Sequence, residues 1–376
     1  MSIMPSRAVV STSAITNNTR LLHDLLRENT ALMAVVKADA YGHGLVRAAK
    51  AALAGGATWL GVAHIESALR LREAGIDAPV LAWLWTPDAI DEALPRAIAA
   101  GIDLSLGSHE MLAAVQRVAR QLGKRARVHV KLDTGMGRNG VPADGVARLA
   151  RMLAAASREV EVVGAWSHLA TADEPDGEAV VNAQARAFNT ACEQLSAHVG
   201  PLQLRHLANS AATLTRPDLH FEMVRCGLAI YGYAPLPCDL PLVPALTLES
   251  SLALVKQVPA GQGVSYGHRY VCPSDSLLGI VPLGYADGLH RAASGKMSVI
   301  VHARSGSVMV PQRGRICMDQ IVVDLSTVPD AAAGDRVTVF GPGELTAKHL
   351  AAAAGTIDYE ILTSLSTRVP RVESEA

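Results

Sequence analysis

The sequence lacks the features that mark several large protein classes. Its 34 basic and 35 acidic residues leave a net charge of -1 with no long run of one sign, so it carries no electrostatic footprint for nucleic acid or an anionic membrane surface. No apolar stretch is long enough to cross a bilayer, and the first residues, MSIMPSRAVVSTSAI, lack the apolar core of a secretion signal. A cytoplasmic location is expected. The five cysteines, Cys192, Cys226, Cys238, Cys272 and Cys317, are odd in number and scattered, with no C-x-x-C pair, which points to reduced thiols. Neither a G-x-x-x-x-G-K-[ST] loop nor an H-E-x-x-H helix occurs. Nucleotide hydrolysis and zinc proteolysis therefore lose their usual motifs, and no metal is expected.

What is present suits a large globular enzyme. The chain has 376 residues, 49% hydrophobic and only 18% charged, enough for an extensive core and too long for one typical domain. Its partners are expected to be small molecules and further copies of itself.

From about residue 33 to 235, short runs rich in Val, Leu and Ile alternate with longer alanine-rich segments of helical character. The candidate strands are LMAVV before Lys37, WLGVAH from 59, PVLAWL from 79, DLSLG from 103, VHVKLD from 128, VVGAWSHL from 162, LRHLAN from 204 and MVRCGLAIYG from 223. Eight strands separated by seven helical segments are the repeat of a parallel (β/α)8 barrel, whose strands are covered by helices and need little polarity. The prolines of YAPLPCDLPLVPA, residues 233 to 245, mark a linker. Beyond it SLALVKQV, LLGIVPLGY, MSVIVHA, SVMVP, QIVVDL and RVTVFG read as strands separated by turn residues. Thr346 and Gly355 bracket a helix over AKHLAAAA, and TIDYEILTSL adds a last helical turn or two. The expected class is α/β plus β, with a barrel domain over residues 1–240 and a β-rich domain over 241–376.

Barrel enzymes place their chemistry where the strands stop. Lys37 follows five apolar residues and precedes ADAYGHG, so its amine is expected at the barrel mouth. Partly desolvating walls there lower an amine's pKa and make it a Schiff-base nucleophile. Taken alone, a lysine after a strand is more often a solvated end cap, so the surrounding residues must decide.

The segment AVVKADAYGHG, residues 34 to 44, resembles the pyridoxal phosphate attachment motif of bacterial alanine racemases. Further blocks resemble that family in its own order: KLDTGMGRNG from 131, SHLATAD from 167, HLANSAA from 206, RCGLAIYG from 225, VSYGHRY from 264, PLGYADG from 282, RGRICMDQ from 313 and IDYEIL from 357. They run nearly from end to end. The resemblance implies pyridoxal 5'-phosphate as cofactor, alanine as substrate, D-alanine for peptidoglycan as the purpose, and a homodimer whose active sites are shared between chains.

Individual roles follow from the same resemblance. Lys37 would hold the cofactor. Asn209 and Ser210 at a helix start, the amides of Gly227 and Leu228, and the hydroxyls of Tyr41, Tyr231 and Tyr359 would surround its phosphate. Arg225 would face the pyridine nitrogen, where decarboxylases and aminotransferases usually place a carboxylate, and would keep that nitrogen unprotonated. Racemisation needs a second base on the opposite face of Cα, which is Tyr266, with His168 linking it to Arg225. Arg138 and the backbone of Met318 would take the substrate carboxylate, and Tyr285 would narrow the entrance. Lys131 matches a lysine that some members carry as a carbamate, and Trp83 is a possible cofactor neighbour.

Other readings share some of these residues. A decarboxylase of basic amino acids is opposed by Arg225, whereas a racemase of broader range is not. A cofactor-binding regulatory protein with the barrel and the lysine would have no β domain, so residues 245–370, with Tyr266 and Met318, weigh against it.

Overall fold

The computed structural model describes residues 5–87 and 92–374. Strands are numbered along the chain from β1 (Arg7–Val10). The apolar runs of the first half become β2 (Ala31–Val35), β3 (Trp59–Val62), β4 (Val80–Ala82), β5 (Asp103–Leu106), β6 (Ala126–Lys131), β7 (Val160–Trp166), β8 (Leu204–His206) and β9 (Met223–Cys226). Every residue of β3, β4, β5 and β9 is buried, because in a barrel one face meets the packed interior and the other the helices. The helices between these strands are Leu45–Ala54, Ile65–Glu73, Ala93–Ala99, His109–Leu122, Val146–Ala155, Glu178–Val199 and Ser210–Thr215.

These strands are parallel neighbours in the order β8-β7-β6-β5-β4-β3-β2-β9. At the seam, the Arg225 amide of β9 donates to the Ala208 carbonyl just past β8, at 3.0 Å. The sheet is a nearly closed eight-stranded barrel. Its register stacks side chains in layers: Lys131 pairs with Trp166 and Trp166 with His206, while Met33 pairs with both Trp59 and Arg225.

The second unit contains β10 (Leu246–Ser251), β11 (Leu254–Val258), β12 (Gly263–Val264), β13 (Tyr270–Val271), β14 (Ser276–Val281), β15 (Ser298–Ala303), β16 (Gly306–Arg313), β17 (Ile321–Asp324), β18 (Arg336–Phe340) and β19 (Arg371–Glu373). One sheet runs β11-β14-β17-β16-β15-β18-β10-β1-β19, and β12 and β13 form a small ribbon. Burial in β17 alternates residue by residue, as expected when only one face of a sheet is covered. The helix Ala347–Ala354 starts after Thr346, whose amide donates to His349 Nδ1 at 3.1 Å, and Asp358–Ser364 follows it.

The first strand departs from the sequence expectation. It lies in the stretch assigned to the barrel domain, yet β1 pairs antiparallel with β10 and parallel with β19, through Arg7 with Glu249 and Ala8 with Arg371. Partners so far along the chain leave no local signal. Residues 41–44 also group with the second unit, and the division after the barrel falls between Leu242 and Val243, within the proline-rich stretch. β8 and β9 are shorter than expected, so Asn209 and residues 227–231 lie beyond the strand ends and Ser210 opens the next helix.

Candidate active site

Lys37 lies just past β2 and opens a short turn of unusual hand. Ala38, Asp39, Ala40 and Tyr41 have φ of 51°, 52°, 57° and 53°. Left-handed helix costs an L-residue about 1–2 kcal/mol, so four in succession need outside support. The Ala40 amide donates to the Val36 carbonyl at 3.0 Å, and Asp39 Oδ1 accepts from the Leu45 amide at 3.0 Å. Beyond the turn, Gly42 has φ of +79°, and a Cβ there would run into the Leu362 carbonyl. Its own carbonyl accepts from Arg371 Nε at 3.0 Å, and the buried Tyr41 ring lies 5.9 Å from that of Tyr359. The Lys37 residue is exposed overall. Its amine is nevertheless held below the ordinary lysine range, first by loss of water among its neighbours and then by the charge of Arg138.

Arg225 is buried on β9. Its guanidinium donates to the carbonyls of His206 and Ser167, each at 2.7 Å, and of Leu207 at 3.2 Å. Imidazole nitrogens complete the set, His168 Nδ1 at 3.3 Å and His206 Nδ1 at 3.4 Å. Burial pulls its pKa down to about 9, which leaves it cationic at neutral pH. His168 is held well below the ordinary histidine value by burial and then by the charges of Arg225, Lys131, Arg138 and Lys37. It is therefore a neutral ring. Lys131 lies with Nζ 3.4 Å from the centroid of Trp166, and burial, then Arg225 and Arg138, lower its pKa strongly. Cationic groups thus crowd one end of the barrel, an arrangement that favours an anionic guest.

Two turns follow the C-terminal ends of β8 and β9. Asn209 caps the helix Ser210–Thr215 by accepting from the Ala212 amide at 3.1 Å. The buried Ser210 hydroxyl accepts from the Gly227 amide at 3.0 Å, and Leu228 begins the turn Leu228–Tyr231. Tyr231 is fully buried, and its hydroxyl donates to the Val35 carbonyl at 3.0 Å, so it braces the end of β2, two residues before Lys37.

Residues 10–235 match the alanine racemase N-terminal domain, and residues 245–373 match the alanine racemase C-terminal domain. The chain is 48% identical to an alanine racemase of Thermobifida fusca, over 99% of this chain and 98% of that protein. It is 45% identical to one of Mycobacterium avium, over 99% and 95%. A crystal structure of alanine racemase from D-cycloserine producing Streptomyces lavendulae superposes with a TM-score of 0.94 at 44% identity, covering 100% of this chain and 98% of that one. The chain belongs to the alanine racemase family. It is thereby an enzyme, an isomerase with both domains of that family. Among the described residues, no helix is long and apolar enough to cross a membrane.

The alanine racemase C-terminal domain gathers three further candidates on neighbouring loops. Tyr266 is 69% exposed, Met318 52% and Tyr285 41%. The Tyr285 amide donates to the Cys317 carbonyl at 3.0 Å and the Ala286 amide to the Met318 carbonyl at 2.9 Å. Gly284 permits this approach, since a Cβ there would collide with the Met318 carbonyl. Ser265, next to Tyr266, reaches the same loop by donating to the Arg315 carbonyl at 2.7 Å.

Reading the sequence alone missed four polar or aromatic residues that the barrel brings beneath Arg225: Asp103, His129, Trp166 and His206. Trp166 stacks on the His206 ring at 5.7 Å with an interplanar angle of 1°. A signal was available. Asp103 and Ser105 in β5, and likewise His129 and Lys131 in β6, stand two apart with an apolar residue between them, which places each pair on one face. Trp83, just past β4, lies 5.9 Å from Trp166, centroid to centroid.

Proposed function

We propose that the chain interconverts L- and D-alanine with pyridoxal 5'-phosphate held by Lys37, and that Lys37 and Tyr266 serve opposite faces of Cα. The observation that carries this reading is Arg225, a buried guanidinium held by three carbonyls. When bound, the cofactor supplies an electron sink for the charge left at Cα when the proton is removed. Arg225 can only donate, so beside the pyridine nitrogen it would keep that atom unprotonated and the sink weak. Return of the proton to Cα would then be favoured, which suits racemisation and would suppress transamination.

The residues fit such a group. Lys37 offers an amine whose pKa is already lowered, as an aldehyde-capturing nucleophile requires. The Ser210 hydroxyl, the Leu228 amide and the helix start at Asn209 would provide phosphate donors, and the Gly227 amide would join them by exchanging its 3.0 Å bond to Ser210 Oγ for one to phosphate. Tyr41 and Tyr359 would join them. Arg138 and the Met318 backbone would hold the substrate carboxylate, and Tyr285 would limit the pocket to a methyl side chain. His168 would receive or share the hydrogen bond of Tyr266. Carbamylation of Lys131 would turn its repulsion of Arg138 into attraction, and the lowered pKa favours the neutral amine that reacts with carbon dioxide.

The exposure of Tyr266, Met318 and Tyr285 supports a homodimer in which these loops meet a second chain. A cytoplasmic supply of D-alanine for the cell wall agrees with this reading. The test is to incubate holoenzyme with L-alanine, L-serine or L-lysine and follow loss of optical activity. Rapid loss with alanine alone is expected. Comparable rates on all three would favour the broader racemase, and cofactor binding without any reaction would favour a regulatory protein.

A further inference from the structure

A line of buried polar groups runs through the barrel interior from Arg225 to its far end. His206 Nδ1 lies 3.4 Å from Arg225 Nη1, and His206 Nε2 lies 2.9 Å from His129 Nδ1. His129 Nε2 lies 3.1 Å from Asp103 Oδ2. Asp103 in turn accepts from Arg127, at 2.8 Å on Oδ1 and 3.2 Å on Oδ2. Neither imidazole is exposed at all. These groups form a line and do not converge on a point, and no metal cluster occurs among the described residues.

Only one proton arrangement satisfies every contact. Asp103 is held as a carboxylate by His129 and Arg127 despite its burial, so it accepts and His129 Nε2 donates. A neutral His129 then has a lone pair on Nδ1, which accepts from His206 Nε2–H. That leaves the lone pair of His206 on Nδ1, facing Arg225, where a donor is waiting. A doubly protonated His129 would reverse the second link and set an N–H of His206 against an N–H of Arg225. The parallel stack of Trp166 over His206, with the Trp166 indole anchored to Ser105 Oγ at 3.0 Å, keeps the ring from turning away.

We propose that Asp103, His129 and His206 are positioning residues that fix one imidazole tautomer after another and so orient the Arg225 guanidinium from the opposite end of the barrel. The functional consequence rests on the reading of Arg225 given above, whereas the proton arrangement does not. Asp103→Asn is the discriminating variant. Arg127 claims the amide oxygen, so the amide NH2 faces His129 and both imidazole protons move from Nε2 to Nδ1. Arg225 then meets a donor, its guanidinium shifts, and racemisation should fall about fivefold while the share of turnovers ending in transamination rises severalfold.

Neutron diffraction on holoenzyme crystals locates these protons directly. Protons on Nε2 of both rings in the wild type, and on Nδ1 of both in Asp103→Asn, are expected. A proton on His206 Nδ1 or two protons on His129 in the wild type would overturn the proposal, even if the variant fails to fold. Unchanged tautomers in a folded Asp103→Asn would overturn it as well. Shifted tautomers with an unchanged ratio of pyruvate to racemised alanine would leave the chain of tautomers intact and refute the role given to Arg225.

Discussion

In the barrel, β3, β4, β5 and β9 bury every residue, whereas in the C-terminal unit β11 buries only Val258 and β17 only every second position. A strand that loses water on both faces tolerates a polar side chain only if that group finds a partner. Asp103, His129, Lys131 and Arg225 are such groups, and each meets a hydrogen bond, an ion pair or an aromatic face. In the second unit the candidates Tyr266, Tyr285 and Met318 lie instead on loops and are open to solvent. The barrel prepares its side chains by burial, and the second unit presents its own on braced turns.

The strongest way to break this division of labour is to remove one proposed base from each region. Lys37→Ala and Tyr266→Phe should each lower racemisation by a factor of about 1000 or more. If active sites are shared, random pairing of the two variant chains makes roughly half the dimers mixed, each with one intact site, so about a quarter of wild-type activity should return. Mixed dimers confirmed by mass spectrometry but still inactive would show that each site lies within one chain. Borohydride treatment of the holoenzyme should leave the cofactor on the peptide containing Lys37, and a label on another lysine would remove that assignment.

A smaller effect is expected from Arg225→Glu, with racemisation slowed about 100-fold and more pyruvate formed per racemisation event. An unchanged ratio in a folded variant would mean that Arg225 does not control partitioning. The burial contrast itself predicts a stability difference. Leu81→Ala, at a position with 0% exposure, should cost about 2–5 kcal/mol, while Leu254→Ala, at 48% exposure, should cost under about 1 kcal/mol. Denaturant titration measures both, and equal losses would erase the distinction between the two regions.

A further effect is expected on pH dependence. Burial holds the His206 value well below 6.5 in the folded chain, so the unfolded chain binds the extra proton first. The stability from this neutral ring is fully present above about pH 6.5 and is lost as pH falls, with a slope of up to about 1.4 kcal/mol per pH unit. Melting temperature should therefore drop between pH 7 and pH 5, and His206→Gln should flatten that slope. An equally steep curve in the variant would assign the proton uptake elsewhere.

The barrel strands were legible because apolar runs such as LMAVV and WLGV are what two covered faces require. Lys37, Arg225 and Tyr266 stood out through the motifs around them. The left-handed turn over Ala38–Tyr41 was not legible, since neither alanine nor tyrosine favours positive φ and the surrounding hydrogen bonds impose it. The buried brace of Tyr231 also escaped, because its carbonyl partner, Val35, is 196 residues away.

By itself the sequence determined the eightfold alternation of strands and helices, the change of pattern near residue 240, the order of the motifs and the kinds of chemistry their side chains offer. Those are local properties, carried by periodicity and by residue type. Only the tertiary structure decided that β1 joins the second sheet, that Arg225 is held by carbonyls and imidazoles, and that Asp103, His129 and His206 form one line. Each of these depends on register between strands distant in sequence, and register is settled when the barrel closes and every buried donor must find an acceptor.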